Sequence, residues 1–169
     1  ASGYKLSQFT NSGNMYYEQI INALKTSTWD FVVLQDHREA IMQNIINTEK
    51  AVAMIKELAT ASGAQIVLYE TQGDCNGRDF TINDTSIFFD NLTLQYYMTK
   101  NYFSVGNKYD SLVATAGVNY TRCMNLYPEI NLYDSDMIHP SPYGSYLAAC
   151  SLYETMFETS VFGNQFLPN

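Results

Sequence analysis

Two residues near the C-terminal end have the types and the spacing of an acid–base pair. Asp136 and His139 lie three residues apart in the polar segment Tyr133–Ser141, just before a helical pattern. A carboxylate that reaches an imidazole fixes the tautomer of the ring and stabilises the imidazolium that forms during acyl transfer. Histidine is also the natural base near neutral pH. The spacing therefore indicates general-base chemistry, although an Asp that caps a turn beside a locally packed His would give the same pattern.

Other polar residues follow the predicted strands, where an open α/β sheet binds its ligands. His37 could line a cleft there, or it could be a solvated loop residue next to Asp36. Glu70 ends the second predicted strand and could point into the cleft to contact substrate. Tyr133 could contact substrate too, with core packing as the alternative. The charged residues of the following loop could recognise a polar substrate or be ordinary surface charges; they are Asp74, Arg78 and Asp79.

The elements that position these residues alternate between strands and helices. Continuous apolar runs, typical of strands buried on both faces of a parallel sheet, predict strands at Trp29–Gln35, Gln65–Glu70 and Ser111–Thr115. Apolar spacing and end signals predict helices at Met15–Lys25, at Ala40–Ser62, from Asp84 to about Tyr102, at Val118–Leu126 and at Pro142–Phe157. The polar segment Thr71–Thr81 is predicted as a loop. Strands joined by such helices form right-handed βαβ units, so the predicted fold class is α/β, with one domain over residues 1–169.

Composition and charge exclude several classes of function. The chain has 169 residues, 46% of them apolar and 15% charged, which is typical of a globular protein. Its formal charge of −8 would repel a phosphate backbone, so nucleic acid is not an expected partner. No apolar run is long enough for a membrane span. The three cysteines lack C-x-x-C spacing, which argues against zinc; three reduced, partly buried thiols are favoured over one disulfide with a free thiol.

Three segments resemble conserved blocks of the SGNH (GDSL-like) hydrolases. Leu132–Ala149, with the sequence LYDSDMIHPSPYGSYLAA, is similar to the last block, which supplies the Asp and His of a Ser-Asp-His triad. The resemblance implies that Asp136 and His139 are those two residues. Trp29–Gln35 resembles the third block in a branch catalogued as a domain of unknown function, where Gln35 would donate its side-chain amide to the oxyanion hole. Gly3 resembles the second-block glycine, whose backbone N–H is another donor.

The first block of this family, a strand that ends in Gly-Asp-Ser or Gly-Asn-Ser, has no counterpart in the sequence. The resemblance implies a three-layer α/β/α, flavodoxin-like fold that is truncated at its N-terminus, with the nucleophilic serine outside this chain. Ser12, in Asn11-Ser12-Gly13, follows no buried strand and is not favoured as a substitute. Without its neighbour, the strand at Trp29–Gln35 would be an apolar edge, which is an aggregation hazard. A separate N-terminal fragment, a second copy of the chain or a rearranged local segment is therefore expected to cover it.

The function implied is that of a serine esterase acting on a small-molecule or carbohydrate ester, with no metal and no organic cofactor. A non-catalytic fragment, or a carbohydrate-binding relative that keeps the fold, is the main alternative. A flavodoxin-like phosphate binder is disfavoured because no Gly-rich phosphate loop follows any predicted strand.

Overall fold

The computed structural model describes residues 3–166, which form two compact units. The first unit comprises the chain up to Leu68 together with Asn101–Val113, and the second comprises Tyr69–Lys100 and the chain from Ala114 onwards. The strands are β1 (Phe31–Leu34), β2 (Gln65–Glu70), β3 (Arg78–Ile82), β4 (Thr85–Phe89) and β5 (Leu112–Thr115). The helices are α1 (Leu6–Phe9), α2 (Tyr17–Thr26), α3 (Arg38–Gln43), α4 (Ile45–Thr60), α5 (Asn91–Lys108), α6 (Ala116–Leu126) and α7 (Pro142–Phe157).

The main sheet has three strands in the order β1-β2-β5. Strands β1 and β2 are parallel, with Phe31 opposite Gln65 and Leu34 opposite Leu68. The apolar run in β2 is buried because its side chains pack on both faces of the sheet, as its composition predicts. The predicted α/β class is thus confirmed, and all three predicted strands are present: β2 has the predicted bounds, whereas β1 and β5 are slightly shorter than predicted.

The predicted helix Ala40–Ser62 is two helices, which is a correction. Asn44 has φ −147° and ψ 55°, so the helical hydrogen-bond ladder is interrupted between α3 and α4. In α4 the buried residues recur three and four positions apart, and this apolar stripe packs the helix within the first unit; they are Thr48, Ala51, Val52, Ile55 and Ala59.

Residues 78–89 form an antiparallel hairpin instead of a loop and the start of a helix, which is a second correction. Strands β3 and β4 pair from Arg78↔Phe89 to Ile82↔Thr85. Asn83 and Asp84 have φ values of 48° and 61°, the left-handed pair that a two-residue type I′ turn requires. Asp84 is therefore a turn residue and not a helix cap. The following helix begins at Asn91 because Asp90 accepts a hydrogen bond from the Thr93 N–H at 2.7 Å.

The core of the second unit lies around Tyr120, Leu132 and Tyr133, with half-buried sulfur-containing and leucine side chains packed against it. Helix α7 approaches this core closely at Gly144. A Cβ at that position would lie 2.1 Å from the Leu132 carbonyl oxygen and 2.2 Å from the Tyr120 hydroxyl. Only glycine fits this contact, which seats the first turn of α7 against the segment that leads to Asp136.

Strand β1 is at the end of the sheet, and among residues 3–166 no strand lies beyond it. Residues 3–14 form α1 and turns, not an additional strand. Val33 in β1 is 44% exposed, whereas Leu34 is buried. The covering partner expected for this edge stays a prediction. Within residues 3–166, no helix has the length and apolar character needed to cross a membrane.

Candidate active site

A closed loop in the second unit carries both Asp136 and His139. Its ends are joined by a β-bridge between Tyr133 and Pro140, and the Asp134 N–H donates to the His139 carbonyl at 2.8 Å. Between these ends, Met137 has φ 58°, a left-handed conformation that turns the chain sharply. The loop is thus fixed by its own backbone.

The two oxygens of Asp136 have separate roles within this loop. Oδ1 accepts the backbone N–H groups of Ile138 at 2.9 Å and His139 at 2.8 Å. Oδ2 lies 2.5 Å from Nδ1 of His139. The hydrogen bond from the His139 side chain, followed by those from the His139 and Ile138 backbones, lowers the pKa of Asp136 to about 2. Asp136 is therefore ionised at neutral pH and its second oxygen is aimed at the imidazole.

This arrangement leaves the other ring nitrogen of His139 available for chemistry. An ionised carboxylate can only accept, so Nδ1 carries the hydrogen of the shared bond and Nε2 has the free lone pair of a base. The His139 side chain is 69% exposed, so a substrate can reach Nε2 from solvent. The structure thus brings Asp136 and His139 together as the spacing predicted, while their catalytic roles stay a prediction.

The segment after the loop is anchored at the start of α7. Ser141 is buried; its Oγ donates to the Asn131 carbonyl at 2.7 Å and accepts the Gly144 N–H at 3.2 Å. Ser141 is thus the N-cap of α7, followed by Pro142 in the first turn. Its hydroxyl is occupied by this capping role.

Two predicted substrate-contacting residues are buried instead. Tyr133 is 2% exposed, and its hydroxyl donates to the Gly73 carbonyl at 2.9 Å while its ring packs edge-on against Tyr120. Glu70 is fully buried at the end of β2, where it accepts hydrogen bonds from α5 and from the start of α6. Tyr133 thus takes the core-packing alternative that the sequence left open, and the burial of Glu70 corrects the expectation that its side chain points into a cleft.

The loop after β2 packs beneath the Asp136–His139 loop within the second unit. Gln72 donates its amide to the Ile138 carbonyl at 3.2 Å, and the Cys75 N–H donates to the Met137 carbonyl at 2.9 Å. Asp74, predicted as a surface charge or substrate contact, is 4% exposed and pairs with Arg78 at 2.5 Å. Through Gln72 and Cys75, the loop after β2 is thus hydrogen-bonded to the backbone of the loop that carries Asp136 and His139.

The predicted oxyanion donors belong to the first unit. Gln35 is exposed just after β1. Asp36 is 3% exposed and accepts the Leu6 N–H at 2.8 Å and the Thr48 hydroxyl at 2.6 Å. Asp36, which directly follows Gln35, is therefore hydrogen-bonded to Leu6, three residues after Gly3. Convergence of these donors with His139 on one pocket stays a prediction.

The second histidine has a local structural role. The His37 Nδ1 accepts the Glu39 N–H at 3.4 Å, which places His37 at the N-cap of α3. Its side chain is 29% exposed. The three cysteines are half-buried free thiols, as favoured from the sequence. Among residues 3–166, no group of three or more His, Cys, Asp or Glu side chains is arranged to hold a metal ion.

Comparison with solved structures identifies the fold. A protein of Slackia heliotrinireducens, provisionally assigned to the SGNH hydrolases, matches with a TM-score of 0.71 and 27% identity over 91% of this chain and 80% of that one. The chain has the SGNH hydrolase fold. A DUF4886 family protein of Bacteroides uniformis matches the chain with a TM-score of 0.71 and 15% identity, over 89% of this chain and 59% of that one.

An acetyl-xylooligosaccharide esterase of Geobacillus stearothermophilus is also similar to the chain. It matches with a TM-score of 0.62 and 16% identity over 92% of this chain and 69% of that one. At this identity the match shows a shared fold alone. Neither a family model nor a curated protein sequence matches the chain. The resemblance to SGNH hydrolases, including a branch of unknown function, is thus confirmed at the level of structure.

Proposed function

We propose that this protein hydrolyses carboxylic esters by acyl transfer, with His139 as the general base and acid and Asp136 as its orienting carboxylate. One observation carries the proposal. Asp136 is held by two backbone N–H groups through one oxygen and binds Nδ1 of His139 through the other, so Nε2 is exposed as a base. The SGNH fold around this pair supports the same chemistry, because its structural neighbours include an esterase.

The proposed reaction has two matching halves. A serine hydroxyl attacks the ester carbonyl while Nε2 of His139 takes its proton, and the imidazolium then protonates the departing alcohol. Water repeats the sequence on the acyl-enzyme and releases the acid. Gly3 N–H and the Gln35 amide would stabilise the oxyanion, at about 3–4 kcal/mol per donor in comparable sites. We place the serine in the Gly-Asp-Ser block of the family, which is not among the residues of this sequence.

Acylated carbohydrate is the substrate class that we propose to test first. The Geobacillus esterase acts on acetyl-xylooligosaccharides by its name, which makes a sugar ester a reasonable starting point. Tyr143, two residues beyond the cap of α7, is 53% exposed and offers an aromatic face with a wet hydroxyl. Such a side chain can stack on a sugar ring.

Hydrolysis of p-nitrophenyl acetate and of acetylated xylo-oligosaccharides tests the proposal. The assay should use this chain and a longer form that carries the Gly-Asp-Ser block. His139→Ala should reduce turnover in the active form by at least about 100-fold, because general-base catalysis is worth about 10²–10⁴-fold. Ser12→Ala is the matched control and should leave turnover unchanged.

Each contrary result has a definite meaning. Loss of activity in Ser12→Ala would show that the nucleophile is misplaced. Full activity in His139→Ala would refute the proposed base. Binding of the xylo-oligosaccharide without hydrolysis in either form would favour a carbohydrate-binding relative.

A further inference from the structure

A buried hydrogen-bond chain within the second unit runs from Glu70 to the loop that carries Asp136 and His139. We propose that Glu70, acting through Gln95, holds Thr71–Cys75 in the conformation that supports this loop, and is thus a positioning residue for the site. The inference rests on the proposed function for its catalytic consequence. Its structural part can be tested without any activity.

The first link of the chain is the Glu70 carboxylate, which is surrounded by donors. One oxygen accepts the Thr99 hydroxyl at 2.7 Å and the Gln95 side-chain amide. The other accepts the backbone N–H groups of Gly117 at 2.9 Å and Val118 at 3.4 Å, at the start of α6. A fully buried carboxylate with four donors is held in one orientation, so it fixes the groups that bind it.

The second link is Gln95, which relays the orientation of Glu70 to the loop. A carboxamide has a donor end and an acceptor end, and their positions are mutually exclusive. With its NH₂ directed at Glu70, Gln95 presents Oε1 to the Gly73 N–H at 2.7 Å. If the amide turned over, the NH₂ would face that N–H and the buried Gly73 donor would lose its acceptor.

The third link joins the Gly73 segment to the catalytic candidates. The Gly73 carbonyl accepts the Tyr133 hydroxyl at 2.9 Å, where the Asp136–His139 loop begins. Gln72 and Cys75 donate to the carbonyls of Ile138 and Met137, the two residues before His139. Loss of the Gly73 hydrogen bond would therefore loosen contacts on both sides of Asp136.

The ionisation of Glu70 decides which orientation of Gln95 is favoured. The four donors suit an ionised carboxylate, which only accepts. A protonated Glu70 needs an acceptor, which the Thr99 hydroxyl or an overturned Gln95 can supply but a backbone N–H cannot. Burial raises the pKa of Glu70 to about 7, although its hydrogen bonds act in the opposite direction. The relay would thus respond to pH near neutrality.

Among the described residues, the pKa of Glu70 is set by burial and by hydrogen bonds from neutral groups, not by a charged side chain. On the same strand, Tyr69 is its titratable neighbour, and burial followed by the Glu70 charge raises the Tyr69 pKa. The α5 contacts are a neutral amide and a hydroxyl. The titratable side chains of α6 are the buried Tyr120, the exposed Arg122 and the half-buried Cys123; those of the loop are Asp74, which pairs with Arg78 of β3, and the half-buried Cys75.

A cleft gives protons a short route to this network. Gln95 and Thr99 line a cleft of about 610 Å³ together with Val118 and neighbouring residues of α5 and α6. Glu70 lies directly behind the two polar side chains that bind it. The carboxylate can therefore exchange its proton through local opening, without unfolding of the unit.

Amide hydrogen exchange at Gly73, measured by NMR between pH 5.5 and 8.5 and corrected for the intrinsic exchange rate, tests the inference. In the wild-type chain, protection of Gly73 should rise by about tenfold as the pH increases through the pKa of Glu70, since one hydrogen bond to a buried donor is regained. The Cys75 amide should follow the same curve. Glu57→Gln, on the exposed surface of α4, is the matched control and should keep the rise.

Two variants separate the links of the chain. Glu70→Gln should make Gly73 protection independent of pH, and Gln95→Met should leave it low at every pH. A flat wild-type curve, or a rise that persists in Glu70→Gln, would overturn the inference. If Glu70→Gln does not fold, Gln95→Met decides: protection of Gly73 equal to that of the wild type would overturn it.

Kinetics distinguish this inference from the proposed function. If esters are hydrolysed, Glu70→Gln and Gln95→Met should lower kcat by about tenfold with little change in KM, because the base is misplaced while the substrate still binds. Hydrolysis by Gln95→Met at the wild-type kcat would refute the positioning role alone. Absence of hydrolysis by the wild type and every variant in the form that carries the Gly-Asp-Ser block, with Gly73 protection still dependent on Glu70, would refute the proposed function and support the link between Glu70 and the loop.

Discussion

The free energy of unfolding should depend on pH through Glu70. Burial raises the pKa of Glu70 from its ordinary value of 4.5 to about 7, so between these two pH values the folded chain binds a proton that the unfolded chain has released. Stability therefore falls as the pH increases across this interval. The gap of roughly 2.5 pH units, at about 1.36 kcal/mol each, corresponds to about 3 kcal/mol lost between pH 4.5 and pH 8.

Urea unfolding at pH 5 and pH 8 measures this effect. We expect the wild-type chain to lose about 2–3 kcal/mol between these conditions, with allowance for relaxation around the buried carboxylate. Glu70→Gln should remove most of that difference, and Glu57→Gln should retain it. Asp136 does not confuse the result, because its pKa is lowered and its contribution is lost only as the pH falls from about 4 towards 2.

Global stability and local protection of Gly73 should change in opposite directions with pH, which separates the two effects. Global stability should fall as the pH increases, while local protection of Gly73 should increase over the same range. A wild-type stability that is flat, or that rises between pH 5 and pH 8 in a manner dependent on Glu70, would show that the carboxylate is not desolvated as the structure indicates.

Three further predictions concern the site and its supports. Asp136→Asn should lower ester hydrolysis by at least about 100-fold while the chain stays folded by circular dichroism; unchanged turnover would exclude Asp136 as the orienting group. Gly144→Ala should destabilise the chain by about 1–3 kcal/mol in thermal unfolding, because the new Cβ collides with backbone, whereas Gly13→Ala, with its nearest contact at 3.4 Å, should change little. Equal melting temperatures for the two would contradict that packing. Asp36→Ala should increase amide exchange at Leu6 by about tenfold or more, since it removes a buried acceptor, and unaltered exchange would refute the tie between Leu6 and Asp36.

Much of the fold follows from patterns that the sequence displays directly. Helix α7 has the predicted bounds Pro142–Phe157 because its start signals, a capping serine and a first-turn proline, are local. The strands β1 and β2 follow from continuous apolar runs. The hairpin β3–β4 could not be predicted because the polar, Gly-containing segment Thr71–Thr81, which includes most of β3, has the composition of a loop. The β-prone residues on either side of Asn83-Asp84 were the available signal.

The candidate site divides in the same way. Asp136 and His139 are close in sequence, so their hydrogen bond could be predicted from spacing. Glu70 was expected to point into a cleft at the end of its strand, yet both Glu70 and Asp36 are buried, which is uncommon for carboxylates. Their donors come from distant positions, namely Gly117 for Glu70 and Leu6 for Asp36, and sequence patterns do not reveal such pairings.

Whether Asp136 and His139 act as one catalytic pair can be tested most directly with a double-mutant comparison. Ester hydrolysis should be measured for Asp136→Asn, for His139→Ala and for the double variant, in the form that shows activity. If the carboxylate acts only by orienting the imidazole, the double variant should be no slower than His139→Ala alone. Losses that multiply would mean that the two side chains act independently, which would contradict the account.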